Sequence, residues 1–140
     1  MLAACARMTA SGEDARMIKM VVNVYRKPGM SKEEFDRYWL EDHGALVRKL
    51  GKAMGFVRYV QSHNIPDPDI EAFRINRGWD EPSDGITEVW WESRESMEAA
   101  LASEEGQRAS QLLYEDEQKF VDAARSSAFL SKDDVIFDNL

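Results

Sequence analysis

The segment "VYRKPGMSKEEFDRYWLEDHGALVRKL", residues 24–50, contains the signals that decide the fold. The first three residues of this segment are the end of the β-branched run "MIKMVVNVYR" (17–26), which predicts a strand. The following "KPG" predicts a turn. Ser31 and Glu34 have the spacing of a capping box, which marks a helix start. The helix that follows has one apolar face, formed at spacings of three and four by Phe35, Trp39, His43, Leu46, Val47 and Leu50. We therefore expect an amphipathic helix that packs on a sheet.

Three more strands are predicted along the chain, at "GFVRYVQSH" (55–63), "GITEVWWES" (85–93) and "AFLSKDDVIFD" (128–138). Between the last two we expect a short helix after Ser93 and a longer one after Gly106, whose apolar stripe is Ala109, Leu112, Leu113, Phe120, Val121 and Ala124. The order strand–helix–strand–strand–helix–strand predicts an α+β fold of the ferredoxin-like, split βαβ type, with a four-stranded antiparallel sheet and both helices on one face. The other face needs a cover, so we expect a homodimer.

Composition limits the possible functions of this chain of 140 residues. The net charge of −8 and the pI of about 4.8 argue against nucleic-acid binding, which needs a basic face. The sequence contains neither a run of about 18 apolar residues nor a basic amphipathic stretch, so it gives no indication of a membrane partner. A single cysteine, Cys5, fits a reducing, cytoplasmic location. We expect a flexible N-terminal leader over residues 1–16 and one domain over 17–140.

The connection between the second and third strands, residues 64–85, holds three of the four prolines together with Phe73 and Trp79. A connection of this length inside a small domain is usually a binding loop or lid. We therefore predict a lid here, with Trp79 as a substrate-binding candidate. The glycines at Gly44 and Gly51 are expected to break or kink the first helix, and the acidic run "YEDEQK" (114–119) is expected to be a solvated helix face.

Three segments taken together, "VYRKPGMSKEEFDRYWLEDHGALVRKL", "YVQSH" and "DGITEVWWES", resemble the EthD-domain family of the dimeric α+β barrel superfamily. The resemblance covers about residues 17–138. It implies an enzyme for small cyclic or polyketide-like molecules that works without a cofactor. In a lactone isomerase of the superfamily, a histidine near the end of the first helix and a strand tyrosine line the pocket, and His43 and Tyr59 occupy those places here. That enzyme's pocket cysteine has no counterpart, and the family's "HGPL" is "HGAL" in this chain.

Three residues are candidates for catalysis. His43 could act as an acid, a base or a hydrogen-bond donor near neutral pH, and its alternative role is to cap the helix end. The Tyr59 phenol could donate to a developing oxyanion, and the alternative is a half-buried tyrosine with a hydrated hydroxyl. His63 could be a second acid–base group, or simply an exposed histidine at a strand end. Two histidines without a carboxylate at a fixed spacing do not predict a metal site.

Six residues are candidates for substrate binding. Asn23 interrupts an apolar strand and needs a partner if it is buried; Tyr25 lies on the same side of that strand. Aromatic residues suit a flat apolar substrate, although core packing is the more common role of any one tryptophan. Glu88 is a possible base if its side of the strand is the pocket, and a salt-bridge partner otherwise. The complete set is Asn23, Tyr25, Trp39, Trp79, Glu88 and Trp90.

The expected function is therefore cofactor-independent acid–base chemistry next to a carbonyl of a small cyclic, aromatic or polyketide-like oxygenated metabolite. The reaction could be isomerisation, cyclisation, dehydration or decarboxylation. Two alternatives stay open from the sequence, namely a cofactor-free oxygenase of the anthrone type and a non-catalytic protein that holds a hydrophobic metabolite. Haem binding is a further alternative that the superfamily resemblance implies.

Overall fold

One antiparallel sheet of four strands organises the computed structural model of the protein, which describes residues 17–140. The spatial order of the strands is β2-β3-β1-β4, and every neighbouring pair is antiparallel. The strands are β1 (Ile18–Val24), β2 (Arg58–His63), β3 (Gly85–Trp91) and β4 (Ser127–Ser131). This order confirms the expected ferredoxin-like α+β fold. The leader predicted for residues 1–16, with Cys5, lies outside the described residues, and the homodimer stays a prediction.

The helices are α1 (Lys32–Arg37), α2 (Gly44–Leu50), α3 (Pro68–Arg77), α4 (Arg94–Ala102) and α5 (Glu104–Glu117). A π-helical segment, Tyr38–His43, joins α1 to α2 without a break. The α1–α2 unit and α5 pack on the same face of the sheet. No helix among residues 17–140 combines the length and apolar character that crossing a bilayer requires.

The first helix begins where the sequence predicts and contains a feature that the sequence did not reveal. Ser31 Oγ accepts a hydrogen bond of 3.1 Å from the Glu34 amide, as expected for an N-cap. Of the two glycines expected to break or kink the helix, Gly44 does not break it, because the helix continues to Leu50, whereas Gly51 is the C-cap at which it ends. In the π-helical segment the Gly44 amide bonds to the Trp39 carbonyl, five residues earlier, so this turn contains one extra residue.

Alternation along β3 decides which side chains face the helices. Thr87, Val89 and Trp91 are buried on the helix side, and the indole N–H of Trp91 donates to the Met54 carbonyl at 2.9 Å. Trp90, directly opposite Lys19 on β1, therefore points to the other face. Strand alternation thus makes these two neighbouring tryptophans face opposite sides of the sheet.

The predicted loop over residues 64–85 is wrong, because α3 lies within it. Asp67 caps α3 through its carboxylate, which accepts from the amides of Asp69 and Ile70, and Pro68 occupies the first turn. The sequence thus contains a helix start signal that the proline count obscured. No residue of α3 is buried, so it lacks the core-facing stripe that would have indicated a helix.

Two other boundaries differ from the prediction. The last strand ends at Ser131, whose partner Lys19 lies next to the first residue of β1, so the chain beyond it has no strand to pair with. Helix α5 starts at Glu104, capped by Ser103, so Gly106 lies inside the helix rather than before it. A Cβ at Gly106 would overlap the Ala100 backbone, which explains a glycine inside a helix.

Candidate active site

A cavity of about 570 Å³ lies between the sheet and the helices. Its floor is formed by β1 and β3, its walls by the α1–α2 unit and α5, and its rim by the segment before β4. The lining is mainly apolar, with a few polar groups, which is the usual character of a small-molecule site. Its residues are Met20, Val22, Val24, Trp39, His43, Val47, Met54, Phe56, Tyr59, Thr87, Val89, Ser110, Leu113, Tyr114, Glu117, Gln118, Phe120, Val121, Ala123, Ser126, Ser127 and Ala128.

His43 and Asp116 form a buried pair in the wall of this cavity. His43 Nδ1 lies 2.8 Å from Asp116 Oδ2, and the two side chains are 5% and 11% exposed. Since a carboxylate only accepts hydrogen bonds, Nδ1 carries the proton and donates it. This excludes the alternative reading of His43 as a cap, and no cap bond from its side chain exists at either end of the π-helical segment.

Asp116 is held by a second donor. The Tyr38 hydroxyl donates to Asp116 Oδ1 at 2.5 Å, and the Lys119 ammonium lies 3.6 Å from the same oxygen. Burial raises the pKa of Asp116, but the hydrogen bonds from Tyr38 and His43 outweigh burial, and the net pKa lies below the usual value. Burial and the Asp116 carboxylate together raise the pKa of Tyr38 to about 12. Asp116 is therefore a fixed anion.

The second nitrogen of His43 is available to a bound molecule. Among the described residues no side chain or backbone group bonds to Nε2, and the residue lines the cavity. Burial lowers the pKa of His43, and the hydrogen bond to Asp116 opposes that effect only in part. The imidazole is consequently neutral at pH 7, with a lone pair on Nε2. That arrangement is a general base oriented by a carboxylate.

Glu117 is the other carboxyl group of the cavity. It lies one residue after Asp116, half-buried, and no hydrogen bond or ion pair engages it within residues 17–140. Burial in these surroundings, helped by the charge of Asp116, raises the pKa of Glu117 to about 7. A neutral carboxylic acid and a neutral imidazole therefore share the cavity near pH 7.

Tyr59 lines the same cavity from β2, packed against Phe56 with ring centroids 6.2 Å apart. Burial raises the pKa of its phenol, while hydrogen bonding with Gln61 opposes the rise. The hydroxyl is therefore protonated at neutral pH and available as a donor. The predicted grouping of His43, Tyr59 and Trp39 in one pocket agrees with this arrangement.

His63 does not line this cavity. It lies in a separate groove of about 420 Å³ at the edge of β2. Its ring stacks on Trp39, with centroids 4.4 Å apart, and its nitrogens contact Asp36 and Gln61. This groove shares Val47, Phe56 and Tyr59 with the cavity, and the direct role of His63 beside a substrate stays a prediction.

The remaining binding candidates also lie elsewhere. Asn23, Glu88 and Trp90 face the side of the sheet away from the helices, where Lys19 pairs with Glu88 and lies over Trp90. Tyr25 packs under the Arg125 guanidinium at 4.1 Å. Trp79 is 58% exposed and follows α3. Strand alternation places Asn23, Glu88 and Trp90 on one face of the sheet, but alternation alone cannot tell which face carries the cavity.

Asp116 and Glu117 are the functional candidates that sequence reasoning missed. The acidic run "YEDEQK" (114–119) predicts a solvated helix face, and this prediction is wrong for both residues. A signal existed, since Ala109, Leu113 and Phe120 are buried and a helical stripe through them passes positions 116 and 117. Charged residues on an apolar stripe suggest function. No group of three or more potential metal ligands occurs within residues 17–140.

Comparison with known proteins agrees with this architecture. A curated relative from Metarhizium robertsii, named conidial pigment biosynthesis dehydratase EthD, is 29% identical over 120 residues, covering 85% of this chain and 84% of that protein. Dehydratase aurZ from Gibberella zeae is 30% identical over 59 residues, covering 42% of this chain and 39% of that protein. Both relatives are thus named as lyase-type enzymes.

A crystal structure of an EthD family protein from Bacillus halodurans superimposes with a TM-score of 0.55 at 19% identity, covering 84% of this chain and 98% of that one. At that identity the likeness concerns the fold alone. The sequence profile of the EthD domain matches residues 27–124, a range that includes the whole His43–Asp116 pair. The chain belongs to the EthD domain family.

Proposed function

We propose that this protein is a cofactor-independent dehydratase that removes water from a small cyclic β-hydroxyketone. The observation that carries the proposal is the buried His43–Asp116 pair, whose free nitrogen faces an apolar cavity. The dehydratase names of two relatives favour water loss among the acid–base reactions expected from the sequence. Loss of water next to a carbonyl extends conjugation, which suits the pigment pathway in the name of the relative from Metarhizium robertsii.

The first step is removal of a proton from the carbon between the carbonyl and the hydroxyl-bearing carbon. His43 Nε2 accepts that proton, and Asp116 stabilises the resulting imidazolium while it holds the ring in place. The electron pair moves onto the carbonyl oxygen, where the Tyr59 hydroxyl donates a hydrogen bond to the developing oxyanion. The apolar lining excludes most water and strengthens both interactions.

The second step is departure of the hydroxyl group. The oxyanion re-forms the carbonyl, a carbon–carbon double bond forms, and the carbon–oxygen bond breaks. The protonated Glu117 donates its proton to the leaving oxygen, which departs as water. A carboxylic acid with a pKa of about 7 is still about half protonated at pH 7, whereas an ordinary glutamate is almost fully ionised there. The proton on His43 then returns to Glu117, and the site is restored.

The test uses 3-hydroxy-1-tetralone, in which water loss followed by tautomerisation gives 1-naphthol, a product that is easily detected by fluorescence. We expect the wild-type protein to form 1-naphthol faster than buffer alone, and His43→Gln to lower the rate by at least about 100-fold. The matched control is Glu115→Gln, an exposed position on α5. Wild-type turnover that survives in His43→Gln would contradict the role of His43, and no turnover above buffer would contradict this substrate class.

A further inference from the structure

We propose that Asp36, His63 and Gln61 form a positioning relay that fixes Tyr59 as a hydrogen-bond donor to the substrate. The inference rests on the proposed function for its catalytic consequence, although its geometry is independent of it. The relay runs from the outer groove at the edge of β2 to the cavity. It gives His63 an indirect role besides the direct one expected from the sequence.

The orientation of the Gln61 amide is the first step of the argument. Gln61 Nε2 lies 2.8 Å from the Trp39 carbonyl oxygen. Two oxygens at that distance would repel each other, so the NH₂ end of the amide must face Trp39. The same carbonyl accepts the Gly44 amide in the π-helical segment. The Trp39 carbonyl therefore accepts from both Gly44 and Gln61, and the second of these bonds fixes the orientation of the Gln61 amide.

The orientation of Gln61 determines what the Tyr59 hydroxyl can do. The second N–H of the amide donates to Tyr59 Oη at 3.4 Å. The phenol oxygen therefore receives a hydrogen bond from Gln61, and its own proton must go to a different acceptor. Since Tyr59 lines the cavity, a substrate oxygen can take that proton when the site is occupied, in competition with the neighbouring Thr87 hydroxyl. Gln61 thus prepares the phenol to donate rather than to accept.

His63 fixes the other end of the amide. Gln61 Oε1 lies 2.9 Å from His63 Nε2, and Asp36 Oδ1 lies 3.1 Å from His63 Nδ1. Both neighbours are acceptors, because Asp36 is also ion-paired with Lys32 at 2.8 Å. His63 thus links the Gln61 carbonyl oxygen to the Asp36 carboxylate. Its ring stacks on the Trp39 indole, which holds the imidazole in this orientation.

The relay therefore holds Gln61 at both ends of its amide, through the Trp39 carbonyl at the NH₂ end and through His63 at the oxygen. Loss of the His63 side chain would free the oxygen end of the amide. The charged groups near the ring are Asp36 and Lys32 of α1, and the groove that His63 lines is otherwise bordered by the cations Arg48, Lys52 and Arg58. The Asp36 carboxylate alone makes direct contact with the ring.

The decisive experiment is ¹³C NMR of protein labelled at tyrosine Cζ, with the Tyr59 signal identified by Tyr59→Phe. We expect Gln61→Met to move that signal, because it removes the hydrogen bond to the phenol oxygen. We expect His63→Phe to move it as well, because this variant keeps the stack on Trp39 but removes the contact with Gln61 Oε1. Tyr114, which lines the cavity without contacting Gln61, is the internal control. A Tyr59 signal that neither variant changes would overturn the relay.

Kinetics with 3-hydroxy-1-tetralone separate positioning from a merely structural role. Gln61→Met should lower kcat by about 3- to 10-fold, the equivalent of one hydrogen bond, with little change in KM. The double variant with Tyr59→Phe should be no slower than Tyr59→Phe alone, because Gln61 acts through Tyr59. If the effects of Gln61→Met and Tyr59→Phe on kcat multiplied in the double variant, the relay would be contradicted. If the wild-type protein does not convert this compound, the proposed function fails while the NMR result still decides the relay.

Discussion

Replacement of Glu117 by glutamine tests the electrostatics of the cavity without any knowledge of the substrate. The substitution keeps the shape of the side chain and removes its ability to ionise. The raised pKa of Glu117, about 7, means that the folded protein holds this proton over a pH range in which the unfolded chain has already released it. The contribution of Glu117 to stability is then full below about pH 4.5 and is lost as the pH rises through 7.

The magnitude follows from that pKa. It lies at about 7 instead of the usual 4.5, and each pH unit between them corresponds to about 1.4 kcal/mol, so the complete effect is about 3 kcal/mol. Because the cavity is partly open to water, which screens the charge, we expect between about 1 and 3 kcal/mol. Glu117→Gln should therefore gain that much stability relative to the wild type between pH 4.5 and pH 8.

Urea unfolding at matched protein concentration measures this difference, with both proteins studied at several pH values from 4.5 to 8. Most other titrating groups contribute equally to the free energy of unfolding of both proteins, so their contributions cancel in the comparison. Glu115→Gln, an exposed position on the same helix, is the control for a simple change in net charge. A difference between Glu117→Gln and wild type that stays flat to within about 0.5 kcal/mol would show that Glu117 ionises as freely when folded as when unfolded, and the proposed acid would be lost.

Three further predictions concern catalysis and packing. The dependence of kcat/KM on pH should be bell-shaped, falling on the acid side as His43 takes up a proton, at a lower pH than for an ordinary histidine because burial lowers its pKa, and falling above about 7 as Glu117 releases one; a flat alkaline side would exclude Glu117 as the acid. Asp116→Asn should lower kcat by at least about 100-fold with the fold retained by circular dichroism, because the amide cannot fix the same imidazole tautomer; near-normal turnover would contradict the pair. Gly85→Ala should cost about 1 to 3 kcal/mol in urea unfolding, since the new Cβ would lie 2.6 Å from the Trp39 ring and closer still to the Ser62 carbonyl; an unchanged midpoint would refute this packing.

The sequence predicted the fold well because its strongest signals are local. Strand alternation, the Ser31 cap and the order of elements all follow from spacing along the chain. The predictions that were wrong concern helix and strand boundaries that depend on tertiary contacts. Helix α3 has a clear cap at Asp67 but no buried residue, so its helical pattern carried no apolar stripe. The last strand stops at Ser131 for want of a partner strand, and pairing is not visible in one segment alone.

The candidate site was predicted only in part, for a related reason. His43 and Tyr59 were found because they sit within recognisable motifs. The partner of His43 lies 73 residues away, and its acidic neighbours made Asp116 look like part of a solvated surface. Stacking on Trp39 turns His63 towards the outer groove. Residue type and spacing indicate chemistry, whereas the face on which chemistry happens depends on packing.

The π-helical segment Tyr38–His43 is a place where the first helical unit can lose one residue without changing its helical phase. The turn already contains one residue more than an α-helical turn, so loss of a single codon between residues 38 and 42 would restore ordinary winding and leave the later positions in nearly the same orientation relative to Phe35. The bond from the Gly44 amide to the Trp39 carbonyl would be replaced by one to a carbonyl four residues earlier. A deletion from an ordinary α-helical turn would instead rotate every later position by about 100°. Relatives that are one residue shorter should therefore have lost it within this segment rather than in α1 or α2.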